Sequence, residues 1–210
     1  MSSYTTYSGL LYSVQVQEQQ QTTERRISQS VLTVLAQEGP QAVSMRRIAG
    51  MVGVTPMAIY HHFPNREVLL RSVVDREFEK LLRLIQNTRP SSSFERDIIH
   101  IMDSYVDYAF KRPHIFDYVF SKPRPDARRF PDDFRARRSP TLNPIADSVA
   151  RWMAEGKIKK DDEWEIALEL WGVAHGYLML YRAGRFNLSQ LEFKKLVQRA
   201  LKRLLHGLKK

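Results

Sequence analysis

The residues best suited to chemistry lie in a segment near the N-terminus that contains cations and hydroxyl groups but no carboxylates. Between Gly39 and Arg66 the sequence has no Asp or Glu, whereas Arg46, Arg47 and Arg66 are present. Acidic residues make up 23 of the 210 in the chain. Their absence here favours a surface that faces phosphate groups, which carboxylates would repel. Chance in a short helical segment is the competing explanation.

The composition of the whole chain points the same way. It has 33 basic and 23 acidic residues, a formal net charge of +10, which favours a polyanionic partner such as nucleic acid or an anionic membrane surface. The chain has no cysteine, and this excludes disulfide scaffolds, thiolate zinc sites and cysteine nucleophiles. Because no apolar run is long enough to span a bilayer and the N-terminus does not resemble a secretory signal, we expect a soluble, cytoplasmic protein.

The elements that position the acid-free segment are predicted to be helices. Apolar residues with helical spacing predict a first helix that begins near residue 23 and ends at a Gly-Pro pair, and a short second helix that follows Ser44. Thr55 and Pro56 are residue types typical of an N-cap and a first helical position, so a third helix is expected to begin there. Asn65 is expected to cap a long fourth helix.

The rest of the chain also has helical patterns, so the predicted fold class is all-α. Further helices are predicted over residues 93–112, 113–121, 140–156, 162–183 and 189–208. Residues 121–140 contain four prolines, which predicts a loop or a broken helix. Residues 1–22 are expected to form a disordered tail. The predicted domains are one over residues 23–72, whose linking helix continues to about 88, and a helical one over residues 93–210.

Residues 44–63 have the features of a helix-turn-helix. Ala49 allows the two short helices to approach closely, and Gly53 tolerates the positive φ that a tight turn requires. The apolar side chains of Ile48, Val52, Val54 and Ile59 are expected to fill the wedge between the helices. In such a motif the second helix can lie in the major groove of DNA.

A set of short motifs gives this segment a specific pattern. It consists of Ile48-Ala49, the run GVTPMAIYHHF from Gly53 to Phe63, and Asn65-Arg66-Glu67 followed by Leu69-Leu70. Over residues 23–72 the pattern resembles the DNA-binding domain of tetracycline-repressor-type (TetR family) transcriptional regulators. The sequence departs from the commonest pattern at two positions, because Met57 stands where many members have glycine and Arg66 where lysine is frequent. Arg66 keeps the positive charge, whereas Met57 is expected to alter which base is read.

The resemblance implies roles for the exposed residues of the two short helices. The DNA-binding residues are expected to be Ser44, Arg46, Thr55, Pro56, Met57, Ala58, Tyr60, His61 and Arg66. Residues 55–58 are expected at base edges, where Met57 and Ala58 suit thymine methyl groups. The others are expected to bind phosphates, with Arg46 also suited to a base, and with Ser44 and Arg66 at helix starts where free N–H groups point outward. For His62 a packing role is favoured over a DNA contact.

The second predicted domain is rich in aromatic residues, which at helical spacing usually form a core. The resemblance implies instead that part of them lines a pocket for an unknown small-molecule effector. Trp171, His175 and Gly176 also resemble a Trp-x-x-x-His-Gly signature found in one group of these C-terminal domains. The residues expected to line the pocket are Tyr105, Tyr108, Phe116, Trp152, Trp171 and His175. For His175 itself, a hydrogen-bonded place in the core is favoured over a ligand contact.

The last predicted helix has an apolar stripe at three- and four-residue steps, which can form a dimer or pack against its own chain. The expected interface residues are Phe193, Leu196, Val197, Ala200, Leu201 and Leu204. The resemblance favours a homodimer through a four-helix interface that includes residues 162–183. Two recognition helices about 34–36 Å apart then read a palindromic operator.

Two charged clusters have simpler explanations than a binding site. A solvated surface is favoured over an anion site for the arginines of the proline-rich loop, which are Arg124, Arg128, Arg129, Arg135, Arg137 and Arg138. Asp161, Asp162 and Glu163 precede a helix, so N-cap and helix-dipole roles are favoured over a metal site. We therefore predict no metal ion and no cofactor.

These observations predict a sequence-specific, DNA-binding transcriptional regulator, a homodimeric repressor that a ligand releases from its operator. An enzyme that docks on nucleic acid through the same motif is the first alternative, but no convergent carboxylates, nucleophile or phosphate-binding loop supports it. A regulator controlled by a protein partner instead of a small molecule is the second alternative.

Overall fold

The computed structural model describes residues 23–86, 91–120 and 127–209, which are helical apart from short connections. Ile158 and Lys209 form an isolated antiparallel bridge, and the described residues contain no β-strand. The all-α fold class predicted from the sequence is confirmed. In chain order the helices are α1 (residues 23–38), a 3-10 helix (Pro40–Ala42), α2 (Met45–Val52), α3 (Pro56–His62), α4 (Arg66–Gln86), α5 (Phe94–Lys111), α6 (Pro113–Phe120), α7 (Asp132–Arg135), α8 (Asn143–Ala154), α9 (Glu163–Arg182) and α10 (Gln190–Leu208).

The helices begin at the capping residues that the sequence predicts. Ser44 and Thr55 each accept a hydrogen bond at 3.2 Å from the backbone N–H three residues further on. Asn65 does the same for α4 at 2.8 Å. Asp162 accepts from two backbone N–H groups at the start of α9, at 2.9 and 3.1 Å. Each cap satisfies donors that the first turn of a helix leaves without a partner.

The described chain forms two compact units. The first consists of α1, α2, α3, the part of α4 up to Glu77, and α6 from His114. The second consists of α4 from Phe78, α5, and the helices from α7 to α10. The sequence prediction, which divides the chain between residues 88 and 93, does not anticipate that α6 belongs to the first unit. The tail predicted over residues 1–22 lies outside the described residues.

Apolar helix faces form the core of the first unit. The α1 residues with helical spacing are buried, as predicted: Ile27, Val31, Val34 and Leu35. In α6, Ile115 and Phe116 are also buried. Gly39 ends α1 with a φ of +83°, which favours glycine, and a Cβ there would contact the His114 ring of α6 at 3.5 Å. The turn between α1 and α2 is therefore held between helices of the same unit.

The core of the second unit is built mainly from α5, α8, α9 and α10. Phe193 of α10 packs against Phe110 and Tyr181, with ring centroids 5.7 and 4.6 Å away. Polar pairs join α5 to α10 along one side, and they are Asp107–Lys194 at 3.0 Å, Asp103–Gln198 at 2.8 Å and Glu95–Lys202 at 3.1 Å. None of the described helices combines the length and apolar character needed to cross a membrane.

Candidate nucleic-acid interface

Helix α2 presents a polar face to solvent. Arg46 and Arg47 are exposed in its first turn, which contains no acidic residue. The cap Ser44 satisfies one backbone N–H of this turn, and the first N–H groups of a helix otherwise lack helical partners and carry positive partial charge. The opposite face is buried through Met45, Ile48, Ala49 and Val52. The amphipathic pattern of α2 therefore directs its cations outward.

Gly53 makes the turn between α2 and α3. Its φ of +73° and ψ of 38° lie in the left-handed region, which glycine adopts without the steric cost that a Cβ brings. The N–H of Val54 donates to the carbonyl of Ala49 at 3.0 Å and closes the end of α2. The positive φ predicted at this glycine is confirmed. Val52 and Ile59 are buried beside the turn, as the helix-turn-helix interpretation requires.

Helix α3 leaves most of its predicted DNA-binding residues in solvent. Met57 has 65% of its surface exposed and Tyr60 has 46%. Thr55, Pro56 and His61 are also exposed, and Ala58 is half-buried. A short helix with one buried residue, Ile59, can present so much of its surface because the turn at Gly53 holds it against α2. The structure therefore brings these predicted residues together on one exposed element.

The residues after Tyr60 turn back toward the core. Phe63 is buried, in agreement with the core role predicted from the sequence. His62 is half-buried, and its ring centroid lies 6.4 Å from that of Phe63. This contact supports the packing role that the sequence favoured for His62.

The arginines of the acid-free segment differ in their partners. Arg47 makes a bidentate ion pair with Glu38, at 2.9 and 2.5 Å, and also donates to the carbonyl of Ala42 at 3.3 Å. The guanidinium of Arg47 holds the pKa of the Glu38 carboxyl below its usual value. Arg46 is exposed and makes no hydrogen bond or ion pair with any residue that the structure describes. Arg46 is therefore the cation on α2 that remains available to a phosphate or a base.

Arg66 is used within the protein. Its Nε donates to the carbonyl of Val43 at 2.8 Å, one terminal nitrogen donates to the carbonyl of Pro40, and the other contacts the carboxylate of Glu67 at 3.1 Å. The carbonyls belong to the segment that joins α1 to α2. The donors of Arg66 therefore hold the segment that leads into Ser44, and its predicted contact with phosphate stays a prediction.

Two further contacts of this region were not predicted from the sequence. Glu38, the residue directly before the acid-free segment, neutralises Arg47. Arg26 of α1 donates to the carbonyl of Val52 at 2.5 Å and joins α1 to the end of α2. In the sequence, the sign of this ion pair is that Glu38 directly precedes the acid-free segment. The sequence gives no sign of the Arg26 contact, because its acceptor is a backbone carbonyl 26 residues further along the chain.

A polar cluster lies among the aromatic residues of the second unit. The hydroxyl of Tyr105 on α5 lies 2.9 Å from Nδ1 of His175 on α9, and the ring of Trp171 stacks on that of His175 at 4.9 Å. Burial raises the pKa of the Tyr105 hydroxyl, so the hydroxyl stays protonated, and burial lowers the pKa of His175. This cluster contains the Trp and His of the Trp-x-x-x-His-Gly pattern and unites three of the predicted pocket residues.

The other predicted pocket residues lie in different surroundings. Tyr108 is one helical turn beyond Tyr105 on α5, and its ring contacts Phe78 at 5.4 Å. Trp152 donates from Nε1 to Asp97 at 3.0 Å and packs against Phe94. Phe116 is fully buried in α6, in the first unit. Phe116 therefore belongs to the core of the first unit, and Trp152 to the packing around Phe94 in the second.

The apolar stripe of α10 is divided between the core and the surface. Phe193, Val197 and Leu201 are buried within the single chain, which is the alternative that the sequence left open for this stripe. Side chains already removed from solvent add no apolar area to an interface with a second copy. Leu196, Ala200 and Leu204 are only half-buried. The predicted interface set is thus reduced to these three residues of α10.

Three arginines of the proline-rich loop pair with carboxylates at the surface. Arg135 pairs with Asp162 at 2.5 Å, and Arg137 makes a two-pronged pair with Asp147 at 2.9 Å. Arg138 contacts Asp133 at 3.1 Å. Arg124 lies outside the described residues. Within the ranges that the structure describes, no group of His, Asp and Glu side chains is arranged to hold a metal ion.

Both parts of the chain match known protein families. The family model "Bacterial regulatory proteins, tetR family" matches residues 32–73, and "Tetracyclin repressor-like, C-terminal domain" matches residues 98–204. The nucleoid occlusion factor SlmA of Pasteurella multocida is 28% identical over 195 residues, covering 86% of this chain and 94% of that protein. The HTH-type transcriptional repressor KstR of Mycolicibacterium smegmatis is 25% identical over 151 residues, covering 71% and 72%.

The fold is also similar to that of solved structures. One is a putative transcriptional regulator from Saccharomonospora viridis in complex with choline, with a TM-score of 0.68 and 15% identity. The match covers 90% of this chain and 99% of that one. Because the identity is low, this likeness concerns the fold alone.

Proposed function

We propose a function on the basis that the chain belongs to the TetR family, whose members are DNA-binding transcriptional regulators and not enzymes. The proposal is that it acts as a homodimeric repressor, which binds a palindromic operator and which a small-molecule effector releases. The observation that carries it is the exposed face of α3 next to the unpaired Arg46, within a segment that contains no carboxylate. We infer a cytoplasmic location, because the operator is there.

The proposed contacts follow from exposure and chemistry. Thr55 to Ala58 are assigned to base edges in the major groove. Tyr60 and His61 lie further along α3 with polar groups suited to phosphates, as does Arg46 on α2. Ser44 contributes the start of α2, where backbone N–H groups favour an anion. Arg66 is assigned a supporting role, since its donors hold the segment before Ser44.

The repressor assignment and the effector rest on analogy with similar proteins. KstR, a relative at 25% identity, is named a transcriptional repressor. The protein from S. viridis holds choline, which is a small molecule. In this chain we assign the effector to the surroundings of Tyr105, Trp171 and His175. The protonated Tyr105 hydroxyl and a neutral imidazole at His175 offer hydrogen-bonding groups among apolar walls, the usual composition of a ligand site.

The proposed dimer uses the apolar surface that the single chain leaves open. On α10 this surface consists of Leu196, Ala200 and Leu204, which are half-buried. On α9, Gly172 and Gly176 are exposed, and a Cβ added at either would meet no atom within 4 Å. Glycines with open space above them allow a second helix to approach closely, so we place the partner's helices here.

Substitution of surface side chains tests the proposed DNA-binding surface. Purified protein is used to select duplexes from fragments of the source genome, and the affinity of the best duplex is measured for Arg46→Ala, Tyr60→Phe and Arg129→Ala. Arg46→Ala and Tyr60→Phe should each weaken binding. Arg129→Ala, a matched removal of one exposed arginine in the second unit, should not. Equal affinity for all three variants and the parent chain would remove the basis of the proposal.

A further inference from the structure

The solvent-facing part of the two short helices is unusually apolar. Met57 is exposed by 65%, Met51 by 49% and Tyr60 by 46%. Within the described residues, α2 and α3 thus contain half of the exposed large hydrophobic side chains, although these helices have only 8 and 7 residues. Pro56 is exposed beside Met57, and Ala58 is half-buried. Such a concentration of exposed apolar groups marks a contact surface.

Helix α3 and its N-cap have no side chain of the types that read a purine through two hydrogen bonds. Arg or Lys reads guanine in this way, and Asn or Gln reads adenine, but residues 55–63 contain none of these types. Asn65, just beyond them, uses its Oδ1 to accept the N–H of Val68 at 2.8 Å. Arg47 is bound to Glu38. Arg66 is bound to backbone carbonyls.

The polar side chains at α3, which are Thr55, Tyr60, His61 and His62, are not of the types that read a purine through two hydrogen bonds. The hydroxyl oxygen of Thr55 already accepts the N–H of Ala58 at 3.2 Å. Tyr60 and His61 are the groups that the proposed function assigns to phosphates. Hydrogen bonding from α3 therefore supplies little discrimination among base pairs, so α3 is expected to read another chemical feature of the groove.

We propose that this chain selects its operator through the 5-methyl groups of thymine, with Met57 and Ala58 as the main contacts. The inference rests on the proposed DNA-binding function and extends it to the chemistry of the operator. The thymine methyl is the apolar feature that a base pair presents in the major groove. A methionine side chain is flexible and polarisable, so it can follow the positions of adjacent methyl groups. Each half-site is expected to place thymines opposite the start of α3.

The decisive experiment removes the methyl groups without changing the base pairing. A duplex is first selected from a random pool with the purified full chain. It is then synthesised again with deoxyuridine in place of thymidine, one position at a time and in both strands. Uracil pairs as thymine does but lacks the 5-methyl group. At the contacted positions the affinity should fall by about fourfold per methyl, the effect of one buried methylene-sized group.

Two variants assign the effect to a side chain. In Met57→Ala the penalty for deoxyuridine should shrink toward zero at one position in each half-site. In Met51→Ala, which removes an exposed methionine from α2, the penalty should stay as in the parent chain. An equally reduced penalty in both variants would contradict the assignment to Met57.

The outcomes separate this inference from the function on which it rests. If a duplex is selected but deoxyuridine leaves its affinity unchanged at every position, the methyl inference is overturned while DNA binding stands. If no duplex is enriched from the pool, the proposed function itself fails. If deoxyuridine weakens binding at paired positions in two half-sites, both are supported.

Discussion

Arg46, Arg47 and Arg66 belong to the same acid-free segment but differ in what binds them. Glu38 holds Arg47, and the carbonyls of Pro40 and Val43 hold Arg66, whereas Arg46 has no partner among the described residues. A count of positive charges in the sequence treats the three as equal. Arg46 is therefore without a partner among the described residues, whereas Arg66 holds the segment before α2.

This difference predicts different responses to salt. The logarithm of the binding constant falls with the logarithm of the salt concentration by about 0.9 for each phosphate that a protein cation neutralises. Arg46→Ala should therefore make this dependence shallower by about 0.9 for each phosphate that Arg46 neutralises. Arg66→Ala should lower affinity with an unchanged slope, because Arg66 supports the fold of the segment and does not bind phosphate. Fluorescence anisotropy from low to high salt measures both, and a shallower slope for Arg66→Ala would contradict the supporting role.

The burial of His175 predicts a pH dependence of stability. Burial lowers its pKa from 6.5, so below this value the unfolded chain binds a proton that the folded chain does not. Stability should therefore fall as the pH drops from 7 to 5. His175 cannot change the free energy of unfolding by more than about 1.4 kcal/mol per pH unit, the value for one proton. Partial exposure of the ring makes the change smaller.

Urea denaturation across this pH range tests the assignment to His175. The free energy of unfolding should fall less steeply for His175→Asn than for the parent chain. Tyr105→Phe should keep the steeper fall, because burial and not the hydroxyl is the cause of the lowered pKa. Identical slopes for His175→Asn and the parent chain would show that this histidine does not contribute.

At the scale of elements, the sequence predicts the features that depend on residues close together along the chain, such as the starts of the helices. The caps Ser44, Thr55 and Asn65 bind N–H groups three residues away, so each helix start can be predicted locally. The acceptors of Arg66 are backbone carbonyls 23 and 26 residues away. Every residue has such a carbonyl, so the residue types in the sequence do not indicate these contacts. The place of α6 in the first unit likewise depends on packing between distant segments.

The turn between α2 and α3 predicts opposite effects for two glycine substitutions. Gly53→Ala places a Cβ on a backbone with φ +73° and should destabilise the chain by about 1–2 kcal/mol. Gly50→Ala, in the interior of α2 with no atom within 4 Å of the added Cβ, should stabilise it by about 0.5–1 kcal/mol. Thermal and urea unfolding measure both changes. A decrease in stability in Gly50→Ala equal to that in Gly53→Ala would contradict the assignment of the effect to the backbone conformation of Gly53.

At the scale of the whole molecule, the proposed function requires two copies. A single helix-turn-helix contacts one half-site, and a twofold assembly reads two of them with a fixed spacing. The apolar stripe on α10 predicts the helix but not which of its residues stay open to solvent, since Phe193, Val197 and Leu201 are buried in one chain. Which side of an apolar helix meets its own chain depends on the packing of α5 and α9, which the helical period alone does not determine.

The proposed dimer predicts the effect of a large charge at Gly176. The position is exposed, and an added Cβ there meets open space, so Gly176→Arg should leave the single chain folded. It should convert the protein from twice the chain mass to the mass of one chain in light scattering at micromolar concentration. Gly50→Arg, the same change at an open glycine of α2, should leave the dimer intact. A dimeric Gly176→Arg would place the interface elsewhere.

The most direct test of the account is a hydroxyl-radical footprint on DNA that the purified chain enriches from its source genome. The account predicts two protected half-sites related by a twofold axis, with centres about 34–36 Å apart, one turn of the double helix, or a multiple of this distance. Protection should disappear when Arg46→Ala, Met57→Ala and Tyr60→Phe are combined. A footprint that persists unchanged in this variant, or the absence of any enriched fragment, would contradict binding through the exposed face of α2 and α3.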